Sequence, residues 1–185
     1  MDDLTRFGII SYIIRKLEES RQYFGKVVIQ KIFYFLTSYS KVPLPYEFYF
    51  YHFGPYSDLL KHDLEMMQLF GMIKIKEDPK SMGNEIIPGE EDQLPGGDNE
   101  AQSVVKQYSG PIDRVLSSFG SKDPAELELL ATIHYVFEKT KPVYENTEEH
   151  RQVVLQKVKQ LKPKFPLASI ENAYVLLDGQ GFLTR

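Results

Sequence analysis

The stretch from Lys26 to Tyr39 constrains the fold more than any other. Val28, Ile29, Ile32, Phe33, Phe35 and Leu36 recur there at helical spacing, yet together they cover more than one side of a helix. A surface helix carries a single apolar stripe, so a helix this widely apolar has to be enclosed by other elements. Pro43 and Pro45 end the helical stretch. Before it, Leu4, Phe7, Ile10, Ile13, Ile14 and Leu17 recur every three or four residues and predict a companion helix with Asp3 as its N-cap. Arg21 to Gly25 is the expected break.

A different pattern follows. Aromatic residues favour strands, which predicts a short strand at Phe48 to His52. Gly54-Pro55-Tyr56-Ser57 is the expected turn, with Ser57 as N-cap of a third helix that carries Leu60, Leu64, Met67 and Phe70 on one face. Gly71 stops that helix. Met72 to Lys76 then alternates as a strand, Asp78-Pro79 through Gly83-Asn84 suits a hairpin tip, and Glu85 to Ile87 a return strand. Helix, glycine stop, strand, hairpin, strand is the order of a winged helix.

Residues 89–100 hold Gly89, Pro95, Gly96 and Gly97 with five acids and no base, a composition that buries too little apolar surface to order itself. The expected organisation is therefore a winged-helix-like domain at 1–88, an acidic linker at 89–100 and a helical subdomain at 101–185. In the last part, Ala101 to Tyr108 and Pro111 to Phe119 form one interrupted helix or two. Asp123-Pro124-Ala125-Glu126 is a helix start, continued by Leu127, Leu130, Ile133, His134 and Phe137. Thr147 to Leu161, capped by Thr147, and Pro166 to Leu177 are the final helices. The fold class is mainly α with minor β: a winged-helix-like N-terminal half with a small antiparallel sheet, plus the helical subdomain. Two segments echo each other: Leu64 to Ile73 reads helix, Gly71 and the apolar pair Met72-Ile73, and Tyr174 to Leu183 reads helix, Gly179 and Gly181, then Phe182-Leu183.

Charge and cysteine usage exclude several functions. Lys and Arg number 22 against 26 Asp and Glu, a net charge of -4, which is wrong for a globally basic nucleic-acid binder. The chain has no cysteine, hence no disulfide, zinc ribbon or thiol catalysis. The apolar stretch Phe7 to Ile14 is broken by Ser11 and followed by Arg15 and Lys16, the wrong order for a signal peptide. No run reaches the roughly 20 apolar residues of a membrane span. A soluble cytoplasmic protein without a membrane partner or cofactor is expected.

The densest candidate site is aromatic. Between Phe33 and Tyr56, 11 of 24 residues are Phe or Tyr. Some fill the core, but one short strand does not easily bury both faces. Tyr49 and Tyr51 point away from Phe48 and Phe50, and aromatic rings are enriched at protein interfaces. The adjoining string His52-Phe53-Gly54-Pro55-Tyr56-Ser57 either caps a helix or presents backbone N–H groups to a partner's carboxylate. No catalytic or metal constellation is recognisable. His52, His62, His134 and His150 lack the spacing that puts two ligands on one helix face, and no nucleophile elbow or phosphate loop is present. The alternative, a DNA-binding regulator, is disfavoured by the acids Asp58, Asp63 and Glu65 on the third helix against Lys61. Its basic groups would be the hairpin lysines Lys74, Lys76 and Lys80. A second basic run, Arg151, Lys157, Lys159, Lys162 and Lys164, is either a solvated helix face or a patch for nucleic acid or an acidic partner.

These motifs resemble a known family. The segment from Gly25-Lys26 through Tyr34 (GKVVIQKIFYF) is similar to the K-x-x-Q-K-h-x-Y-h helix, with h any apolar residue, of the Panacea, or SocA-like, antitoxin domain and its YwgA-like relatives. The tyrosine strand followed by Phe53-Gly54-Pro55-Tyr56-Ser57 resembles the family's aromatic strand, Gly-Pro turn and helix. Leu161 to Phe165, with Ile170 and Ala173, resembles the tail of the YwgA-like branch. The resemblance implies a non-enzymatic module acting by protein contact, its partner a toxin or a protease client. The matching positions are Lys26, Gln30, Lys31, Tyr34, Gly54, Pro55 and Ser57.

Overall fold

The computed structural model describes residues 1–20, 24–78, 83–89, 99–144 and 147–183. In chain order its elements are α1 (Asp3–Ser20), α2 (Lys26–Ser38), β1 (Tyr49–Tyr51), β2 (Gly54–Tyr56), α3 (Asp58–Leu69), β3 (Ile73–Asp78), β4 (Gly83–Pro88), α4 (Asn99–Gln107), α5 (Ser109–Phe119), α6 (Pro124–Thr140), α7 (Thr147–Leu161) and α8 (Leu167–Gly179). The protein is mainly helical with two two-stranded sheets among the described residues. No described helix is long and apolar enough to cross a membrane.

The chain divides into two compact units. The first comprises Met1–Phe48 and Tyr56–Pro124, the second Tyr49–Pro55 and Ala125–Arg185. The division therefore falls at Pro124, not within 89–100, of which 90–98 lie outside the described residues. The physical reason is burial. In α4 and α5, Ala101, Ile112, Val115 and Phe119 are buried, and the Phe119 ring stacks on Phe35 of α2 at 4.0 Å between centroids. These two helices complete the enclosure that the broad apolar face of α2 demands.

In the first unit, α2 is buried from Val28 through Leu36, packed among α5, β4 and its other neighbours. The face of α1 differs from expectation at its start: Leu4 is exposed, whereas Phe7, Ile10, Ile13, Ile14 and Leu17 are buried. The α1 cap is Asp2, whose carboxylate accepts from the Thr5 N–H at 2.8 Å, one residue earlier than the sequence pattern indicates. A buried polar triad joins α1 to α3. Arg6 forks onto Asp63 at 2.7 and 2.9 Å, and the Tyr46 hydroxyl donates to the same carboxylate at 2.9 Å. The hydrogen bonds that Arg6 donates to Asp63 hold the guanidinium pKa above its ordinary value, and burial pushes the Tyr46 phenol well above its own.

Ser57 caps α3 by accepting from Leu60 N–H. Phe70, expected on the inner face, lies just past the helix end and is exposed. β3 and β4 run antiparallel, with Ile73 opposite Pro88 and Ile75 opposite Ile86. Helix, glycine, strand, hairpin and return strand thus occur in the anticipated order, with residues 79–82 of the tip, Lys80 among them, outside the described residues.

The second unit packs α6, α7 and α8 around Leu127, Leu130, Ile133, Val154, Val158, Ile170 and Leu177. The echo noted in the sequence is a shared helix ending. Met72 N–H reaches back to Met67 C=O and Gly71 N–H to Gln68 C=O, while Phe182 and Gly181 repeat this on Leu177 and Asp178. Gly71 and Gly181 have φ of 73° and 74°, the left-handed conformation that this Schellman closure requires of glycine.

Candidate functional site

The expected turn at Gly54-Pro55-Tyr56-Ser57 is in fact the second strand of a hairpin. The reversal occurs at His52–Phe53, between β1 and β2. Gly54 follows it with φ of 88°, which lets so short a loop reconnect the strands. Pro55 is tolerated because a two-stranded ribbon has an outer edge that requires no amide donor.

Alternation then sorts the rings. Tyr49 and Tyr51 share one face, 6.1 Å apart edge to face, and are 43% and 47% exposed. The His52 ring lies 4.2 Å from Tyr51, and Phe53 at the tip is 55% exposed. On the other face Phe50 packs against Tyr135 of α6 at 5.8 Å. The hairpin therefore presents three large rings outward and seats a fourth.

The seat is a lysine clasp. Glu128 of α6 is 3% exposed and Lys162, just beyond α7, 4%. Their charged groups meet at 2.7 Å, and Lys164 reaches the other carboxylate oxygen at 2.8 Å. Lys162 also donates to the His52 carbonyl in a short hydrogen bond, with its ammonium 5.3 Å over the Phe50 ring. Sequence dictates this placement: Pro163 prevents α7 from continuing, and Lys159 binds the carbonyls of Pro163 and Phe165 at 2.9 Å each. The turn so fixed delivers Lys162 inward and leaves Lys164 half exposed.

These positions redistribute the roles expected from sequence. Tyr49, Tyr51 and His52 are exposed, as a contact surface requires. Gln30, Lys31, Tyr34, Gly54, Pro55 and Ser57 are buried, and Lys26 and Tyr56 are half buried. Gln30 is a staple: its amide donates to Ser57 C=O at 3.0 Å and accepts from Ser57 N–H at 2.9 Å, fixing the start of α3. Gln30, Lys31, Tyr34 and Ser57 thus serve packing and capping in this conformation. The basic run likewise is no continuous solvated face. Lys157 is exposed, Arg151 lies 3.6 Å from Glu148, and Lys159 and Lys162 are engaged as described.

Phe53 and the Glu128 clasp are the features that residue-by-residue reading missed. Phe53 was visible as the outermost ring of the aromatic string, but nothing at the sequence level pairs Glu128 with lysines more than 30 residues away. Elsewhere His150 is buried, bonded to the Thr140 hydroxyl at 2.8 Å and set against Phe137. Among the described residues no group of three or more His, Asp or Glu is placed to hold a metal. In comparison with known proteins, the chain matches no family profile and no curated protein.

Proposed function

We propose that this chain is a non-enzymatic protein-interaction module, antitoxin-like in the sense implied by its Panacea resemblance, that grips a partner with the outer face of the β1–β2 hairpin. The observation carrying this reading is the exposure of Tyr49, Tyr51 and Phe53 together on a hairpin held by a buried ion pair. Rings that stay wet in an isolated chain have apolar area to gain from a partner, and preorganisation lowers the entropy cost of docking. A DNA-binding regulator has less support, because Lys162, central to the second basic run, is buried against Glu128.

The test is capture from nuclease-treated lysate of the source organism, read by mass spectrometry, with wild type beside Tyr49→Ala/Tyr51→Ala. One stoichiometric protein lost in the double variant is the expected result. A partner retained by the double variant rejects the surface. Nucleic acid in place of protein, recovered from an untreated parallel sample, rejects the class.

A further inference from the structure

The inner rings of the hairpin seat and its tip share a feature that a plain apolar surface would not need. Each has an ammonium over it. Lys162 lies 5.3 Å from the Phe50 centroid, Lys164 5.9 Å from Phe53, and Lys139 5.5 Å from Tyr135, which itself packs on Phe50. Glu128 is the carboxylate that Lys162 and Lys164 share. The neighbouring acid Glu138 lies 3.8 Å from Lys141 instead. Two ammonium groups on one carboxylate leave that cluster with a surplus positive charge, on a chain whose net charge is -4.

We infer that the hairpin takes an acidic, apolar peptide segment, with a carboxylate of the partner meeting Lys164 and an adjacent aliphatic or aromatic side chain lying on Phe53 and Tyr51. The inference rests on the interaction reading and names the chemistry of the partner. Lys164 suits the part because its side chain is 53% exposed while its ammonium is anchored at Glu128, so its head group is already placed and remains reachable. A carboxylate delivered there completes a charge-assisted hydrogen bond at little ordering cost. The surplus charge disfavours a basic partner by like-charge repulsion. It also falls short of a nucleic-acid strand, which is held by a basic groove that follows successive phosphates: Lys139 and Lys164 are the exposed heads here, and Lys162 is buried.

The experiment selects phage-displayed random peptides against the full chain, with Phe53→Ala as the counter-selection. Selected peptides are then measured by fluorescence anisotropy on wild type, Lys164→Gln and Lys164→Arg, against labelled oligothymidylate as competitor. The expected peptides carry Asp or Glu beside Leu, Ile or Phe. Lys164→Gln weakens them roughly tenfold, the size of one charge-assisted hydrogen bond, and Lys164→Arg restores most of the loss. Replacing the peptide's acid by its amide costs the same on wild type and almost nothing on Lys164→Gln. Hairpin-dependent peptides without acids, or acidic ones indifferent to Lys164→Gln, overturn the inference and leave the interaction reading standing. No hairpin-dependent peptide counts against both. Oligothymidylate binding tighter than the peptides overturns the inference in favour of single-stranded nucleic acid.

Discussion

Removing the charge of Glu128 is the sharpest perturbation of this architecture. Glu128→Gln keeps the side-chain volume and one acceptor, but leaves the Lys162 ammonium without its counter-charge at a place 4% exposed. Breaking a buried pair at one partner typically costs about 3–5 kcal/mol, because the remaining charge stays desolvated. The Lys164 contact with the same carboxylate involves a side chain 53% exposed, so Lys164→Gln should cost no more than about 1 kcal/mol. Urea unfolding followed by circular dichroism separates the two. With a slope near 2 kcal/mol per molar, Glu128→Gln should lower the midpoint by roughly 1.5–2.5 M and Lys164→Gln by under about 0.5 M. Replacing both members, Glu128→Leu with Lys162→Met, should recover most of the loss, since an apolar pair of similar volume carries no desolvation penalty. If Glu128→Gln shifts the midpoint no more than Lys164→Gln does, the clasp is not the buried strut described above.

At the other polar centre, Asp63→Asn removes the buried counter-charge of Arg6 and leaves it the exposed Asp3 carboxylate at 2.9 Å, so the cost in the same urea assay should stay at or below about 3–5 kcal/mol. Tyr46 sets an alkaline limit. Its folded pKa lies above the ordinary value of 10.0, so near and above pH 10 the unfolded state releases a proton that the folded state keeps. Stability present below pH 10 is then lost as pH rises, by up to about 1.4 kcal/mol per unit, and the advantage of wild type over Tyr46→Phe in urea titrations should shrink by that slope from pH 10 to 11. Gly71→Ala meets no atom within 4 Å but must hold φ of 73°, so it should cost about 1–2 kcal/mol with no change in unfolding slope.

The parts of the fold readable in the sequence were those with a local signature. The wide apolar face of α2 announces an enclosed helix, Gly71 its helix end and Ser57 its cap, while of the pair Gly179 and Gly181 it is Gly181 that takes the left-handed closing position. The Lys26 to Ser38 helix begins where the pattern placed it and ends one residue sooner. What was not readable depended on distant partners. Nothing local says that Phe119 stacks on Phe35, so the sequence points to a unit boundary in the acidic stretch at 89–100, whereas α4 and α5 belong to the first unit. The Gly54-Pro55 dipeptide favours a turn, yet in the fold Gly54 uses its positive φ to leave a reversal already made at His52–Phe53. The basic run misled for a similar reason. Charge in sequence does not reveal that Lys162 turns inward to a glutamate 34 positions earlier.

The central claim is that Tyr49 and Tyr51 are a contact surface held ready by the clasp, and not part of the core. The measurement that tests it most directly is a thermal melt of Tyr49→Ala/Tyr51→Ala alongside its capture of the wild-type partner. Truncating two half-exposed rings should lower stability by about 1–2 kcal/mol at most, whereas fully buried aromatic rings cost about 3–5 kcal/mol each. The expected result is a cooperative melt within a few degrees of wild type together with loss of the partner. A lost or strongly lowered transition, or a partner captured as well as before, would contradict it.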